Sequence, residues 1–239
     1  MRDISIFELR SLMESYESMV QGDEPFSTKT LDDMKYFKDR VAYCKKYLKY
    51  LGRGSSRMSF LMPNGHVLKL AFNSKGLAQN QAECSDWYKN SLECFTTVYN
   101  TADDHTWCEV EAAVPCKTQD FPRLLNGMTF VEMCDFLVDM TRQRGYPNAF
   151  RYRYLNTPKE RLKEIEEAMW DDPESHPLLY NLSEYIGNYG ASENLVADFF
   201  NIKNWGIVNR DGEETLVVTD SGLNDDVWND HYARKRSWD

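Results

Sequence analysis

The spacing of apolar residues changes along the chain from a helical period to a strand-like one. Apolar positions three and four residues apart predict an amphipathic helix over residues 5–20 and a second helix over residues 31–48. Residues 51–62 contain a pair of glycines followed by side chains that alternate in polarity, and the alternation recurs over residues 66–72. The segment Pro63-Asn64-Gly65 between these runs is typical of a turn, so this region predicts a hairpin that carries a glycine-rich loop.

Further along, the pattern predicts a helix over residues 75–92 and two strands over residues 95–100 and 106–114. Helical spacing then dominates, and helices are predicted over residues 129–144, 158–171, 177–188 and 192–200. A late hairpin is predicted, with strands over residues 205–208 and 215–219 around the turn Asp211-Gly212. This separation of strands and helices along the chain favours the α+β class.

Composition limits the class of protein. A length of 239 residues suits one domain of two lobes or two small domains. The net charge of −10 predicts no binding to nucleic acid or to an anionic membrane, because a nucleic-acid surface needs clustered Lys and Arg. These residues form only a short run at 234–236, which we expect to be solvated. The chain opens without a signal-peptide pattern and has no apolar run long enough to cross a bilayer.

The cysteines indicate a reducing compartment. The sequence contains six, with no CxxC pair and no histidine at zinc-finger spacing from them. We therefore expect reduced thiols in a cytoplasmic protein.

Residues 52–57, Gly-Arg-Gly-Ser-Ser-Arg, form the first candidate site. Small residues such as Gly52 and Gly54 let backbone N–H groups approach phosphate oxygens, and the hydroxyls of Ser55 and Ser56 add donors. The alternative is a tight turn without a ligand.

Lys69 and Glu83 form the second candidate site. Lys69 lies within Val67–Ala71, whose apolar residues indicate at least one buried face, so its ammonium group needs a partner. The phosphates of a nucleotide would serve, and so would the carboxylate of Glu83 on the following helix. The alternatives are a lysine that faces outward and a glutamate on the surface.

Asn204 and Asp220 flank the late hairpin. Asp220 ends an apolar strand and is followed by Ser221-Gly222, a good position for a carboxylate that holds Mg²⁺ against phosphates. The amide oxygen of Asn204 would take a second metal position. The alternative for both is an ordinary turn residue.

The order of these features is more specific than any one of them. The order matches that of protein kinases: a glycine-rich loop, a strand lysine, a helix glutamate, two strands, a helical block, an Asn before a strand and an Asp-x-Gly after it. The chain resembles the protein-kinase-like superfamily, in particular small kinase-like proteins of tailed bacteriophages. The segments LGRGSSR, VLKLAFNSKGLAQNQAE and NWGIVNRDGEETLVVTDSGLN carry this resemblance, which covers about residues 45–225.

The resemblance implies an α+β, two-lobed kinase-like fold that binds ATP and Mg²⁺. It implies a helical extension over residues 1–48, a small antiparallel β lobe over residues 49–118, and a reduced, mostly helical lobe with a metal-binding hairpin over residues 119–239. Mg²⁺ would be held by Asn204 and Asp220.

The resemblance also implies roles in nucleotide binding. Four residues of the loop would cover the phosphates: Gly52, Gly54, Ser55 and Ser56. Lys69 would contact the α- and β-phosphates and pair with Glu83. Residues 107–114 would form the hinge strand, with backbone groups near Glu111 and Ala113 meeting the adenine.

Three features depart from the kinase pattern. Arg57 stands in place of the third glycine of the loop, and no His-Arg-Asp triplet precedes Asn204. Phe199 occupies the position expected for the catalytic aspartate. The neighbouring Asp198 has apolar surroundings in the sequence that suit a general base. The alternative for Asp198 is a residue at a helix end with no chemical role. Little chain follows Asp220, so no peptide-substrate platform is expected and a specialised or small-molecule target is favoured.

Three functions stay open at this point. The first is an ATP- and Mg²⁺-dependent phosphotransferase in which Asp198 and Lys69 are catalytic. The second is a non-catalytic kinase-like module, a pseudokinase, that binds a phage protein or inhibits a host protein. The third is an AMP or nucleotidyl transferase that uses the same residues with the nucleotide reversed. A phage origin would place the protein in the host cytoplasm or in the virion.

Overall fold

A computed structural model of the chain describes residues 26–143, 155–188 and 193–233. The helix predicted over residues 5–20 and the basic run at residues 234–236 lie outside these residues. The described residues divide into two compact units. The first contains the residues up to Asp86 together with Thr96–Val114, and the second contains Trp87–Phe95 and the residues from Pro115 onward.

The first unit combines helices with an antiparallel sheet. Its elements within the described residues are α1 (Thr28–Asp32), α2 (Phe37–Tyr47), β1 (Lys49–Arg53), β2 (Arg57–Leu61), β3 (Val67–Ala71), α3 (Ser74–Cys84), β4 (Val98–Thr101) and β5 (Trp107–Val110). The single helix predicted over residues 31–48 is wrong. Extended backbone at Tyr36 separates α1 from α2, which lets Leu31 and Cys44 enter one apolar core. The helix predicted over residues 75–92 also ends early, because the chain leaves the first unit after Asp86.

The five strands form one antiparallel sheet in the order β1-β2-β3-β5-β4. Pairing aligns Ser59, Lys69, Cys108 and Thr101 in one row across the sheet. Because directly opposed residues share a face, these side chains lie on one side, and α3 packs there against β3 and β5. Apolar residues of the other face join the core formed with α1 and α2: Met58, Phe60, Leu68, Leu70 and Trp107.

Gly76 marks the closest approach of α3 to the sheet. A Cβ atom added there would overlap the backbone oxygen of Ser56 and lie 2.9 Å from the Cβ of Ala71. We expect Gly76→Ala to lower the free energy of unfolding by about 1–3 kcal/mol, although alanine is the better helix former. Urea unfolding measures this, with Gly52→Ala as the control because a Cβ there meets nothing within 4 Å. Equal stability of the two variants would contradict the close packing.

The second unit is mostly helical. Its elements within the described residues are α4 (Trp87–Ser91), β6 (Val114–Pro115, at the boundary with the first unit), α5 (Asp120–Leu124), α6 (Phe130–Gln143), α7 (Lys159–Asp171), α8 (Pro177–Asn188), α9 (Glu193–Asp198), β7 (Trp205–Arg210), β8 (Glu213–Val218) and α10 (Asp225–His231). Short 3₁₀ turns lie at Pro173–Ser175 and Ile202–Asn204. One apolar core joins the helices to the strands and includes Met133, Leu182, Phe199 and Trp205. None of the described helices has the length and apolar character needed to cross a membrane.

Strands β7 and β8 form the late hairpin, paired from Trp205 opposite Val218 to Arg210 opposite Glu213. They are longer than the predicted strands. The turn at Asp211 and Gly212 has positive φ at both residues, 55° and 91°, which gives the twist that a two-residue hairpin turn needs. The α+β class is thus confirmed, with antiparallel sheet and separate helical segments.

Candidate functional site

Glu83 is the centre of a buried ionic cluster in the first unit. Its carboxylate accepts hydrogen bonds from the Lys69 ammonium and, at 2.5 Å, from the Arg57 guanidinium. All three residues are more than nine-tenths buried. They meet because β2 begins at Arg57, β3 carries Lys69 on the face that α3 covers, and Glu83 lies in the last turn of α3. The structure therefore brings together the lysine and glutamate that the sequence suggested as a pair.

Asn80 holds this cluster in place. It lies three residues before Glu83, on the same face of α3, and is completely buried. Its amide nitrogen donates to the backbone oxygen of His105 at 2.9 Å, while its amide oxygen accepts from Arg57 at 3.2 Å. This residue thus fixes α3 to the sheet and orients Arg57 toward the carboxylate.

The loop between β1 and β2 is a short turn, closed by a hydrogen bond from the Gly54 N–H to the Arg57 backbone oxygen at 2.9 Å. Ser55 is exposed, and its backbone oxygen accepts from the Asn73 side chain at 3.4 Å. Ser56 is buried, and its hydroxyl donates to Gln79 on α3. The Ser56 side chain therefore ties the loop to α3, whereas Ser55 faces solvent.

Two further loop residues complete the predicted phosphate-binding set. Gly52 belongs to β1 and Gly54 lies in the turn, where a Cβ would meet little. Asn73 caps the start of α3 by accepting from the Gly76 N–H at 3.0 Å. The role of this loop in binding phosphate stays a prediction.

The predicted hinge is shorter than expected as a strand. β5 ends at Val110, and residues 111–113 have no regular structure. The Glu111 N–H donates to the Thr97 backbone oxygen at 2.8 Å, and its carboxylate accepts from the Thr97 N–H at 3.2 Å. Glu111 is thus tied to the sheet of the first unit. Adenine contacts of Glu111 and Ala113 stay a prediction.

Three predicted residues lie at one end of the β7–β8 hairpin in the second unit. Asn204 immediately precedes β7, and its backbone oxygen accepts from the Thr219 N–H at 2.7 Å, next to Asp220. The buried Asn204 amide donates to the backbone oxygen of Asp198 at 3.1 Å. Asn204 therefore links the segment that carries Asp198 to the strand end that carries Asp220.

The donor types at this strand end fit magnesium. The amide oxygen of Asn204 and the carboxylate of Asp220 are oxygen ligands, which Mg²⁺ prefers. Among the described residues, no group of three or more His, Cys, Asp or Glu side chains is placed to hold a metal. A magnesium ion held by this pair would need further oxygens, and Mg²⁺ in nucleotide sites commonly takes them from phosphates and water.

Sequence reasoning missed Lys89 on α4. Its side chain is almost completely buried, and its ammonium lies 3.5 Å from the backbone oxygen of Ser221, the residue after Asp220. A buried ammonium is costly unless polar groups contact it. The contact of Lys89 with the Ser221 backbone oxygen therefore helps to hold the segment that follows β8 in the chain. The Val218 N–H also donates to the Cys94 backbone oxygen at 2.8 Å, which holds the segment after α4 beside β8.

Arg57 and Asn80 were also missed as members of the site. The signal that was present is modest: an arginine at the start of a buried strand, and an asparagine three residues before the glutamate on a helix. Neither pattern names its partner, because Arg57 and Glu83 are 26 residues apart.

Comparison with known proteins identifies no family for the chain. No protein-family model matches the chain, and no curated protein matches it. Among solved structures, the chain is similar to the streptomycin–ATP–APH(2″)-IIa ternary complex, with 14% sequence identity and a TM-score of 0.32 over 77% of this chain and 70% of that chain. Similarity at this level carries no argument about fold or function.

Proposed function

We propose that the chain is a kinase-like phosphotransferase that moves the γ-phosphate of ATP to a specialised or small-molecule acceptor. The observation that supports this most is the buried ion pair between Lys69 and Glu83. Protein kinases use a strand lysine, paired with a helix glutamate, to hold the α- and β-phosphates. Here the lysine and the glutamate are 14 residues apart, on a strand and the helix that follows it.

Lys69 acts in this proposal by charge. Phosphoryl transfer needs little covalent work from the protein, and positively charged groups that are already in position stabilise the transition state. Glu83 holds the ammonium in place, and its second contact, with Arg57, fixes the carboxylate in turn. The small residues Gly52 and Gly54 would let phosphate oxygens approach the turn closely.

The hairpin of the second unit supplies the other part of the chemistry. Asn204 and Asp220 would hold Mg²⁺, which neutralises charge on the phosphates when it is bound. Asp198 would accept the proton of the acceptor hydroxyl as a general base. The hydrogen bond from the Asn204 amide to the Asp198 backbone supports this role, because it holds the base near the metal ligands.

One observation favours the second candidate, a non-catalytic kinase-like module. Arg57 replaces a glycine of the kinase loop and shares the carboxylate that Lys69 uses, while the Ser56 hydroxyl is directed at Gln79. This loop is fixed to α3 and offers fewer side-chain donors to phosphates. Such a protein would bind nucleotide or a partner protein without turnover.

Product analysis separates these functions. The purified chain is incubated with ATP and Mg²⁺, and ADP is measured with and without a chelator. We expect ADP formation that stops when Mg²⁺ is chelated, because the phosphates then lose their counter-charge. Pyrophosphate in place of ADP would indicate AMP transfer. Binding of ATP without any product would favour the non-catalytic module. The absence of both ATP binding and turnover would overturn the proposal.

A further inference from the structure

Cys84 and Cys108 form a thiol pair beside the ionic cluster. Cys84 is the last residue of α3, directly after Glu83, and Cys108 is the β5 residue paired with Lys69. The Cys108 sulfur lies 3.5 Å from the amide oxygen of Asn80, which precedes Cys84 by one helical turn on the same face of α3. This places the two thiols within hydrogen-bonding reach of one another. Cys84 is partly exposed, whereas Cys108 is completely buried. Both are free thiols.

The two thiols differ in acidity for physical reasons. The hydrogen bond from Cys108 holds the pKa of Cys84 below its usual value, and Thr101 adds to this effect against the opposing effects of burial and of Glu83. The pKa of Cys108 lies well above its usual value, because of the same hydrogen bond and because of burial. Cys84 is therefore the thiol that ionises first, and Cys108 keeps its proton.

Cys44 and Cys116 are weaker acids than Cys84. Burial raises the pKa of Cys44 to about 12, and burial together with Asp120 raises the pKa of Cys116 to about 12. A thiol that ionises easily, is partly exposed and has a second thiol beside it is typical of cysteines that react with peroxide.

We propose that Cys84 and Cys108 are a modification site, at which hydrogen peroxide forms a reversible disulfide that weakens the Lys69–Glu83 pair. The Cys84 thiolate attacks one peroxide oxygen, so that an S–O bond forms, the O–O bond breaks and hydroxide leaves. The Cys108 sulfur then attacks the Cys84 sulfur, the S–S bond forms and the S–O bond breaks. The hydroxide takes up the proton that the Cys84 thiol released on ionising, and the second oxygen leaves as water with the Cys108 proton, so two water molecules form. Two thiols are oxidised by two electrons, and peroxide is reduced by two.

The consequence for the cluster follows from its position. A covalent S–S bond is shorter than a hydrogen bond between two sulfur atoms, so the end of α3 must move toward β5. Glu83 precedes Cys84 and Lys69 lies opposite Cys108, so this movement changes the geometry of the ion pair. The formation of the disulfide is independent of the proposed phosphotransfer, whereas its effect on nucleotide binding rests on that function.

Peptide mapping tests the bond itself. The reduced chain is treated with hydrogen peroxide, remaining thiols are alkylated, and peptides are identified by mass spectrometry. We expect a peptide pair joined through Cys84 and Cys108 that dithiothreitol separates again. Cys84→Ser should abolish it, whereas Cys116→Ser should retain it. If both thiols are alkylated after peroxide treatment, or Cys84 is oxidised to sulfinic acid while Cys108 is alkylated, the proposal is wrong. The wild-type map decides even if a variant fails to fold.

Nucleotide affinity tests the effect on the cluster. We expect the oxidised wild-type chain to bind ATP about tenfold more weakly than the reduced chain, and dithiothreitol to restore binding. Unchanged affinity in a chain whose disulfide has been mapped would overturn the regulatory part. If the reduced chain binds no nucleotide, the proposed phosphotransfer fails, and the fall in thermal unfolding midpoint caused by Glu83→Gln is then compared in the reduced and the oxidised chain. A smaller fall in the oxidised chain shows that the bond weakens the ion pair, and equal falls contradict it.

Discussion

Replacement of Lys69 by methionine is expected to reduce ATP turnover about 10²–10³-fold. Methionine has nearly the same length and can stay buried in β3, but it carries no charge. The substitution therefore removes the interaction with the phosphates that the proposal assigns to this ammonium, while most of the packing is preserved. The measurement is kcat/KM for ADP formation at saturating Mg²⁺.

Lys163→Met is the matched control. Lys163 lies on α7, its side chain is 74% exposed, and it pairs with Glu167 at 3.2 Å on the same helix. Loss of this surface charge should leave turnover unchanged. If the Lys69 variant folds and turns over ATP as fast as the Lys163 variant, Lys69 does not contact the phosphates.

Glu83→Gln is expected to have the largest effect on stability, a loss of about 3–5 kcal/mol in the free energy of unfolding. The substitution keeps the shape of the side chain but removes the negative charge that two buried cations, Lys69 and Arg57, both contact. Removal of one partner from a buried ionic group is costly because the remaining charges stay desolvated. Urea unfolding at neutral pH measures the difference.

Glu167→Gln provides the comparison for this substitution. Its side chain is 61% exposed and takes part in an ion pair on the helix surface, where such pairs contribute about 0–1 kcal/mol. The loss for Glu83→Gln should therefore exceed the loss for Glu167→Gln several-fold. Similar losses would show that the buried cluster is not important for stability.

The parts of the site that sequence predicted are those with a strong local pattern. Lys69 stood out because an ionic group interrupts an apolar strand, and a buried ammonium needs a counter-charge. The β7–β8 hairpin was predicted because Asp211-Gly212 is suited to a turn with positive φ. Such features depend on residues that are close together in the chain.

The missed parts depend on contacts between distant residues. Lys89 and Ser221 are 132 positions apart, and nothing in the helical pattern around Lys89 indicates that it is buried. Arg57 looked like a departure from a loop motif, yet it is a member of the cluster. The break at Tyr36 was missed for a similar reason, because the core that α1 and α2 share forms only in the folded chain.

A crystal structure of the chain with a non-hydrolysable ATP analogue and Mg²⁺ is the most direct test of the proposed phosphotransfer. We predict phosphate oxygens within hydrogen-bond distance of the Lys69 ammonium and a magnesium ion bound by Asn204 and Asp220. A nucleotide bound elsewhere, with no phosphate near Lys69 and no metal at Asp220, would contradict it.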